Sequence, residues 1–504
     1  MAFRFSFEPV CRRLVPSVLA LALAVAAPAQ AQLPTLGDGN EMTVAAERRL
    51  GEKIARELYR DPDYVDDPVL VEYVQGIWQR LLAAARTRGE LTAELDERFA
   101  WQVLLGKDRS VNAFALPGGW LGLHLGLVSV TASRDELASV LAHELSHVTQ
   151  RHIARIVGQE KRNAPLVIGA MILGALAASK NSDAANAMMS GGQALAMQNQ
   201  LSFSRDMERE ADRIGYGVLT QSGFDPRGFV TMFEKLQQAS RLNDSGSFPY
   251  LRSHPMNTER MADMQSRQQL GERGTSTSTA QLEHALMTAR ARVLANNGVD
   301  SLRSFVTEAS GLAAAGPSSR RAAVLYAAAL AASRLRDHGG ASTWAQRLVD
   351  ETRGDPTAAR LARLLSAEVA LAGGRADRAS SLVEAGSTSR AELMLWSAAR
   401  LAEGGGRDVA QRLQTWVAAQ PRDAAAWQLL AAAYGAQQQT LRAIRAEAEA
   451  QVAQLDYPAA IDRLKAAQDL VRRGGAGGDH IEASIIDTRV RQVESLLREQ
   501  AIER

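Results

Sequence analysis

His143-Glu144-Leu145-Ser146-His147 is the stretch on which the fold turns. It lies in a segment that opens at Ser133 and carries Asp135 and Glu136, where a helix dipole favours acid. The segment is predicted to be a long helix, and helical residues four apart share a face. Both imidazoles then point at one spot, the arrangement that holds a single Zn²⁺. Glu144 projects beside them, close enough to take a proton from a metal-activated water. Such a site needs a third protein ligand and an open position. Downstream, Ser204 to Gly215 reads as an acidic helix in which Glu208 and Asp212 share a face and Glu210 points elsewhere. One of the paired carboxylates is expected on the metal and the other behind a ligating histidine. The competing reading of Glu208-Arg209-Glu210 is a solvated, salt-bridged surface.

Around the motif the organisation changes twice. Residues 41–88 read as two helices, the first capped by Asn40 or Thr43 and ended by Asp61-Pro62-Asp63, the second opened by Asp67-Pro68. From Phe99 short apolar runs at 101–105, 111–116 and 119–125, broken by Gly106-Lys107-Asp108 and Pro117-Gly118-Gly119, predict a small meander of strands. Residues 164–178 are strongly apolar but short for a membrane span, and the Met-rich stretch to Gln200 follows them. Residues 164–200 are expected to form a helical hairpin, serving as buried core, as a mobile lid or as a membrane-contacting flap. At Gly271 to Gln281 the apolar periodicity vanishes, which marks a linker. Beyond it helix starts recur near 320, 340, 357, 375, 390, 407, 423, 440 and 457, a repeat of roughly 34 residues, the tetratricopeptide period. Trp427, Leu430 and Tyr434, with Ala460, Leu464 and Ala467, fit that repeat's first- and second-helix patterns.

Composition narrows the function. The 504 residues carry 58 Lys and Arg against 56 Asp and Glu, a net charge of +2, which leaves no polycationic footprint for nucleic acid. Aromatic residues make up only 5%, which disfavours an aromatic-rich sandwich or barrel. The expected fold is mainly α with a small β-sheet: a zincin-like metalloprotease domain followed by an α-helical tetratricopeptide solenoid. A basic stretch with Arg4, Arg12 and Arg13, an apolar run from Leu14 to Ala27 and Ala29-Gln30-Ala31 describe a secretory signal peptide cleaved after Ala31, an uncleaved anchor being the alternative. Cys11, the one cysteine, lies in that leader, so the mature chain is expected to have no disulfide. The expected division is 1–31 leader, 32–270 protease, 271–281 linker and 282–504 repeats.

The motif His143 to His147, followed by Glu208-x3-Asp212, resembles the peptidase family of the HtpX-type heat-shock protease and the CAAX prenyl endopeptidases. Asn112 to Gly119 resembles that family's strand-and-turn signature, and Ser253-His254-Pro255 with Arg260 its downstream element. The resemblance covers about residues 40–270. It implies one Zn²⁺ per chain held by His143, His147 and Glu208, with Glu144 as catalytic acid and Asp212 as proton donor. With the leader and the repeats added, the chain is similar to exported quality-control members of the family. That likeness implies a periplasmic metalloendopeptidase with chaperone-like activity. It would degrade misassembled outer-membrane β-barrel proteins, aid correct assembly, dock on the barrel-assembly machinery through the repeats and touch the outer membrane peripherally. The alternative is a non-proteolytic chaperone or adaptor acting through its repeats; a third reading is a peptidase that processes one defined peptide. Two roles are left for His254, a removable fourth ligand or an oxyanion donor, against that of a capped or solvated loop histidine. Gly119, Trp120, Leu121, Gly122 and Leu123 are expected to form an exposed sheet edge to which an extended substrate adds as a strand.

Overall fold

The computed structural model describes residues 42–159, 204–241, 248–270, 278–312, 317–473 and 479–501. The predicted leader, the 164–200 hairpin, residues 243–247 and residues 271–277 of the linker lie outside the described residues. From Met42 onwards the chain is one compact unit.

Helix α1 (Val44–Arg60) begins at Thr43, whose hydroxyl accepts from the amide of Ala46, and stops at Asp61. A two-residue strand β1 (Tyr64–Val65) leads to α2 (Pro68–Thr87), which has Pro68 in its first turn and Asp67 as its cap. Proline suits that position because its missing N–H would be unpaired there anyway. A short α3 (Ala93–Arg98) precedes β2 (Gln102–Gly106), β3 (Ala113–Leu116) and β4 (Trp120–His124). Then come α4 (Leu125–Val130), α5 (Arg134–Thr149), α6 (His152–Gln159), α7 (Arg205–Gln221), α8 (Arg227–Arg241), α9 (Tyr250–Ser253) and α10 (Thr258–Leu270).

The strands do not form the expected meander. Their order is β1-β2-β4-β3, with β4 parallel to β2 and antiparallel to β3. β4 is therefore an interior strand, buried at every residue, and Gly119 sits in the tight turn before it. The edge expected at 119–123 is instead β3, which pairs on one side only. Gly118 and Gly119 are left-handed, with φ of 72° and 83°, and a side chain on Gly119 would meet the backbone of Ala100 and Trp101 at 3.0 Å. Those glycines let the chain reverse under β2 and re-enter the sheet beside it, which the apolar runs alone do not reveal.

From Ser278 the described chain is helical throughout, starting with α11 (Ser278–Ala295). Later helices begin at Ser318, His338, Pro356, Ala376, Arg390, Gly406, Ala424, Thr440 and Tyr457, each within two residues of its predicted start. Alternate starts at 356, 390, 424 and 457 are spaced 34, 34 and 33 residues apart, which makes this a helical repeat region. It is not a separate body. α11 packs on α2, α4 and α5, and one continuous core runs from Val69 and Trp78 through Leu286 and Met287 to Leu361 and Leu365. Ion pairs cross the same boundary: Asp67–Arg290 at 2.6 Å, Glu72–Arg360 at 2.8 Å and Asp66–Arg390 at 2.8 Å. No described helix is long and apolar enough to cross a membrane.

Candidate metal centre

α5 is the innermost helix of this half, with every residue from Asp135 to Thr149 buried. Ser133 caps it by accepting from the amide of Glu136 at 3.1 Å. Helical spacing brings His143 and His147 together with their Nε2 atoms 3.0 Å apart, each 1% exposed. α7 crosses this face, and Gly215 makes the approach close: a Cβ there would stand 3.1 Å from the Ala142 carbonyl oxygen. α7 begins at Ser204, which accepts from the amide of Met207, so Glu208 and Asp212 fall on its buried side one turn apart.

The two carboxylates stand at different places around the histidines. Oε1 of Glu208 lies 3.4 Å from Nε2 of His147 and Oε2 lies 3.5 Å from Nε2 of His143. Asp212 stands behind His143, with Oδ1 3.0 Å from Nδ1. Arg260 of α10 grips Asp212 at both oxygens, 2.6 and 2.8 Å, and reaches Glu208 Oε2 at 2.8 Å. Burial would raise the Asp212 carboxyl, but Arg260 and His143 together hold it below the usual carboxylate range. An anion fixed in this way stands where a group that orients a ligating histidine would stand.

His254 enters from the end of α9. It stacks on Tyr250, places Nδ1 3.0 Å from Glu208 Oε1 and 3.3 Å from His143 Nε2, and is 1% exposed. That position rules out the solvated-loop alternative. Nε2 of His254 lies 3.4 Å from Oε1 of Glu144. The other oxygen of Glu144 accepts from the backbone N–H of Ala115 at 2.9 Å, so the glutamate bridges the metal cluster and the free edge of β3.

One nitrogen or oxygen from each of His143, His147, Glu208 and His254 lies within 4.8 Å of the other three, and all four residues are buried. Three imidazoles and a carboxylate are the donor types zinc takes. The electrostatics favour positive charge among them. Burial opposes charge on His143, yet its hydrogen bonds to Asp212 and Glu208 lift it to about 10. Burial pushes His147 well below its ordinary value, while Glu208 is held an anion against burial by its three histidine neighbours. Oε1 of Glu144 is buried with no hydrogen-bond partner among the described residues. A divalent ion would satisfy the acceptors and let the histidines be neutral, so the residues fit the group.

Residues 72–268 match the model of Peptidase family M48. Over this M48 region the chain is similar to that family. The M48 match begins inside α2 and ends in α10, so it encloses β2, β3 and β4 and every residue of the cluster. Among curated proteins the chain is similar to the beta-barrel assembly-enhancing protease of Escherichia coli O157:H7, 34% identical over 268 residues, covering 52% of this chain and 53% of that one. The protein of the same name from Yersinia pestis is 36% identical over 242 residues, 48% of each chain. The mitochondrial metalloendopeptidase OMA1 of Arabidopsis thaliana is 34% identical over 164 residues, covering 32% of this chain and 31% of that one. The chain thus spans about half the length of the two bacterial relatives.

His143, Glu144, His147, Glu208, Asp212 and His254 all meet in the M48 region as a single cluster. Sequence reasoning gave Arg260 no chemical role and passed over Tyr250 and His152. Arg260 acts across elements distant in the chain, which no local spacing records, whereas Tyr250 stacks on His254 four residues along. His152, five residues after His147, was open to notice as a further histidine beside the motif.

Proposed function

We propose that the chain is a zinc-dependent endopeptidase of the bacterial envelope that acts on unfolded or misassembled outer-membrane β-barrel proteins. The buried cluster of His143, His147, Glu208 and His254, with Glu144 Oε1 lying 3.4 Å from His254 Nε2 and accepting no hydrogen bond from the described residues, carries this reading. His143, His147 and Glu208 would hold Zn²⁺, one per chain. When bound, the ion supplies Lewis acidity to the scissile carbonyl and acidifies water. An extended substrate segment adds to the outer edge of β3 through main-chain hydrogen bonds, which accept many sequences. Glu144 takes the proton of the attacking water and delivers it to the departing amine. Asp212 and Arg260 keep the His143 ring in place. His254 acts as a removable fourth ligand that keeps the site shut until substrate displaces it; its nitrogen already lies within the cluster.

The assembly role and the periplasmic location rest on the bacterial relatives' name and on the sequence reading of residues 1–31. The 34-residue spacing supports a tetratricopeptide array as the surface that docks on the barrel-assembly machinery. The test compares wild type and Glu144→Gln on an unfolded barrel protein. Wild type should cleave, and the variant should keep its zinc yet lose hydrolysis by orders of magnitude, because Glu144 is a base and not a ligand. Equal cleavage by both would end the proposal; zinc-bound protein inactive in either form would favour the chaperone reading.

A further inference from the structure

His143 has a carboxylate directly behind it, whereas His147 has another histidine. Nδ1 of His152 lies 2.8 Å from Nδ1 of His147, and the opposite nitrogen of His152 lies 3.1 Å from Oε2 of Glu210. Arg155 Nη1 reaches that same oxygen at 2.8 Å. His152 is fully buried, and its ring meets that of His147 edge-on with centroids 4.9 Å apart.

The backbone is bent to make this contact. On an unbroken helix, residue 152 would stand about 140° around from His147 and face away. α5 instead stops at Thr149, and Arg151 takes a left-handed φ of 53° before α6 starts at His152. Arg151 is not glycine, so this conformation is costly and must be held by its surroundings. The buried Glu47 of α1 holds it, accepting from Arg151 Nε at 2.8 Å, and the Met42 carbonyl accepts from its Nη2.

From this geometry we infer that His152 and Glu210 are positioning residues for the zinc ligand His147, an inference that rests on the zinc reading above. A carboxylate only accepts, so His152 carries its hydrogen on Nε2 and donates it to Glu210. Its Nδ1 is then a bare lone pair that accepts from Nδ1–H of His147. His147 is thereby locked in the tautomer whose Nε2 lone pair faces the cluster, with the ring plane fixed. The relay also ties α6 to α7, two residues from Glu208, so ligands on two helices are set by one hydrogen-bonded chain.

The test uses the full chain with four forms: wild type, His152→Leu, His152→Asn and Glu210→Ala. Zinc affinity is measured by chelator competition, and the visible spectrum of the cobalt-substituted protein reports ligand geometry. Partners behind a metal ligand are typically worth 10–100-fold in affinity, and His152→Leu should lose that much and shift the cobalt bands. Asparagine places an acceptor oxygen where Nδ1 stood, so His152→Asn should recover most of both. Glu210→Ala should weaken zinc by about 10-fold. Should His152→Leu fail to fold by circular dichroism, the partly exposed Glu210→Ala decides. Wild-type affinity and spectrum in His152→Leu, equal loss in the Leu and Asn forms, or an unchanged Glu210→Ala would each overturn the inference. A wild-type chain that binds no zinc would instead defeat the underlying reading.

Discussion

Replacing Arg290 should loosen the helical repeats from the M48 region. The guanidinium is 3% exposed and donates to Asp67 at 2.8 and 2.6 Å, to the Tyr326 hydroxyl at 3.0 Å and to Glu368 at 2.9 Å. Asp67 meanwhile caps α2 by accepting from Leu70 at 2.9 Å. Burial alone would raise the Asp67 carboxyl, and Arg290 holds it below its usual range. Arg290→Met leaves that carboxylate buried and uncompensated, which costs about 3–5 kcal/mol for a broken buried pair. Arg60–Asp456, with Arg60 46% exposed, is a control that should cost under ~1 kcal/mol when broken. Hydrogen exchange under native conditions reads the opening locally, which suits a chain too large for one two-state transition. Amides of α11 should exchange more than about 10²-fold faster in Arg290→Met. Adding Asp67→Asn keeps the cap, removes the stranded charge and should restore much of the protection. A change below about 1 kcal/mol in the single variant, or no recovery in the double, would refute the claim that this pair fastens the two halves.

Stability should also fall on acidification through His284. Its Nε2–H donates to the Thr131 carbonyl at 3.0 Å and Nδ1 accepts from the Tyr73 hydroxyl at 2.6 Å; burial lowers it to about 4. The neutral ring therefore contributes stability above pH ~6.5, lost as pH falls towards 4 because the unfolded chain takes up a proton that the folded chain refuses, about 3 kcal/mol in all. In His284→Gln, urea midpoints at pH 7 and pH 4.5 should differ less than in wild type; an identical difference would contradict this. For His254, the plug role predicts that His254→Ala raises basal cleavage and self-cleavage. A fall of about 10²-fold would assign it to the oxyanion instead.

The parts of this architecture set by local spacing were legible in advance. The four-residue step from His143 to His147 dictates a shared helical face, and Thr43, Asp67 and Ser133 cap the helices that follow them. The 34-residue rhythm of small and large apolar residues placed nine of the later helices to within two residues, but not those that begin at Val299 and His480. What depended on distant partners was not legible. An apolar run says that 120–124 is a buried strand, but its interior place follows from parallel pairing with β2, a relation between segments that no period encodes. The left-handed Arg151 that turns His152 back under His147 depends on Glu47, about a hundred residues upstream. Likewise the hydrophobic face of α11 reads the same whether it meets other repeats or, as found, α2, α4 and α5.

The central claim is that four buried side chains, His143, His147, Glu208 and His254, enclose a catalytic zinc ion. Metal analysis of the purified chain, paired with hydrolysis of an unfolded outer-membrane barrel protein before and after chelation, tests it most directly. One zinc per chain is predicted, with cleavage abolished by the chelator, restored by zinc, and both metal and cleavage lost in His147→Ala. Cleavage that survives full removal of zinc, or a folded wild-type chain that binds none, would contradict it.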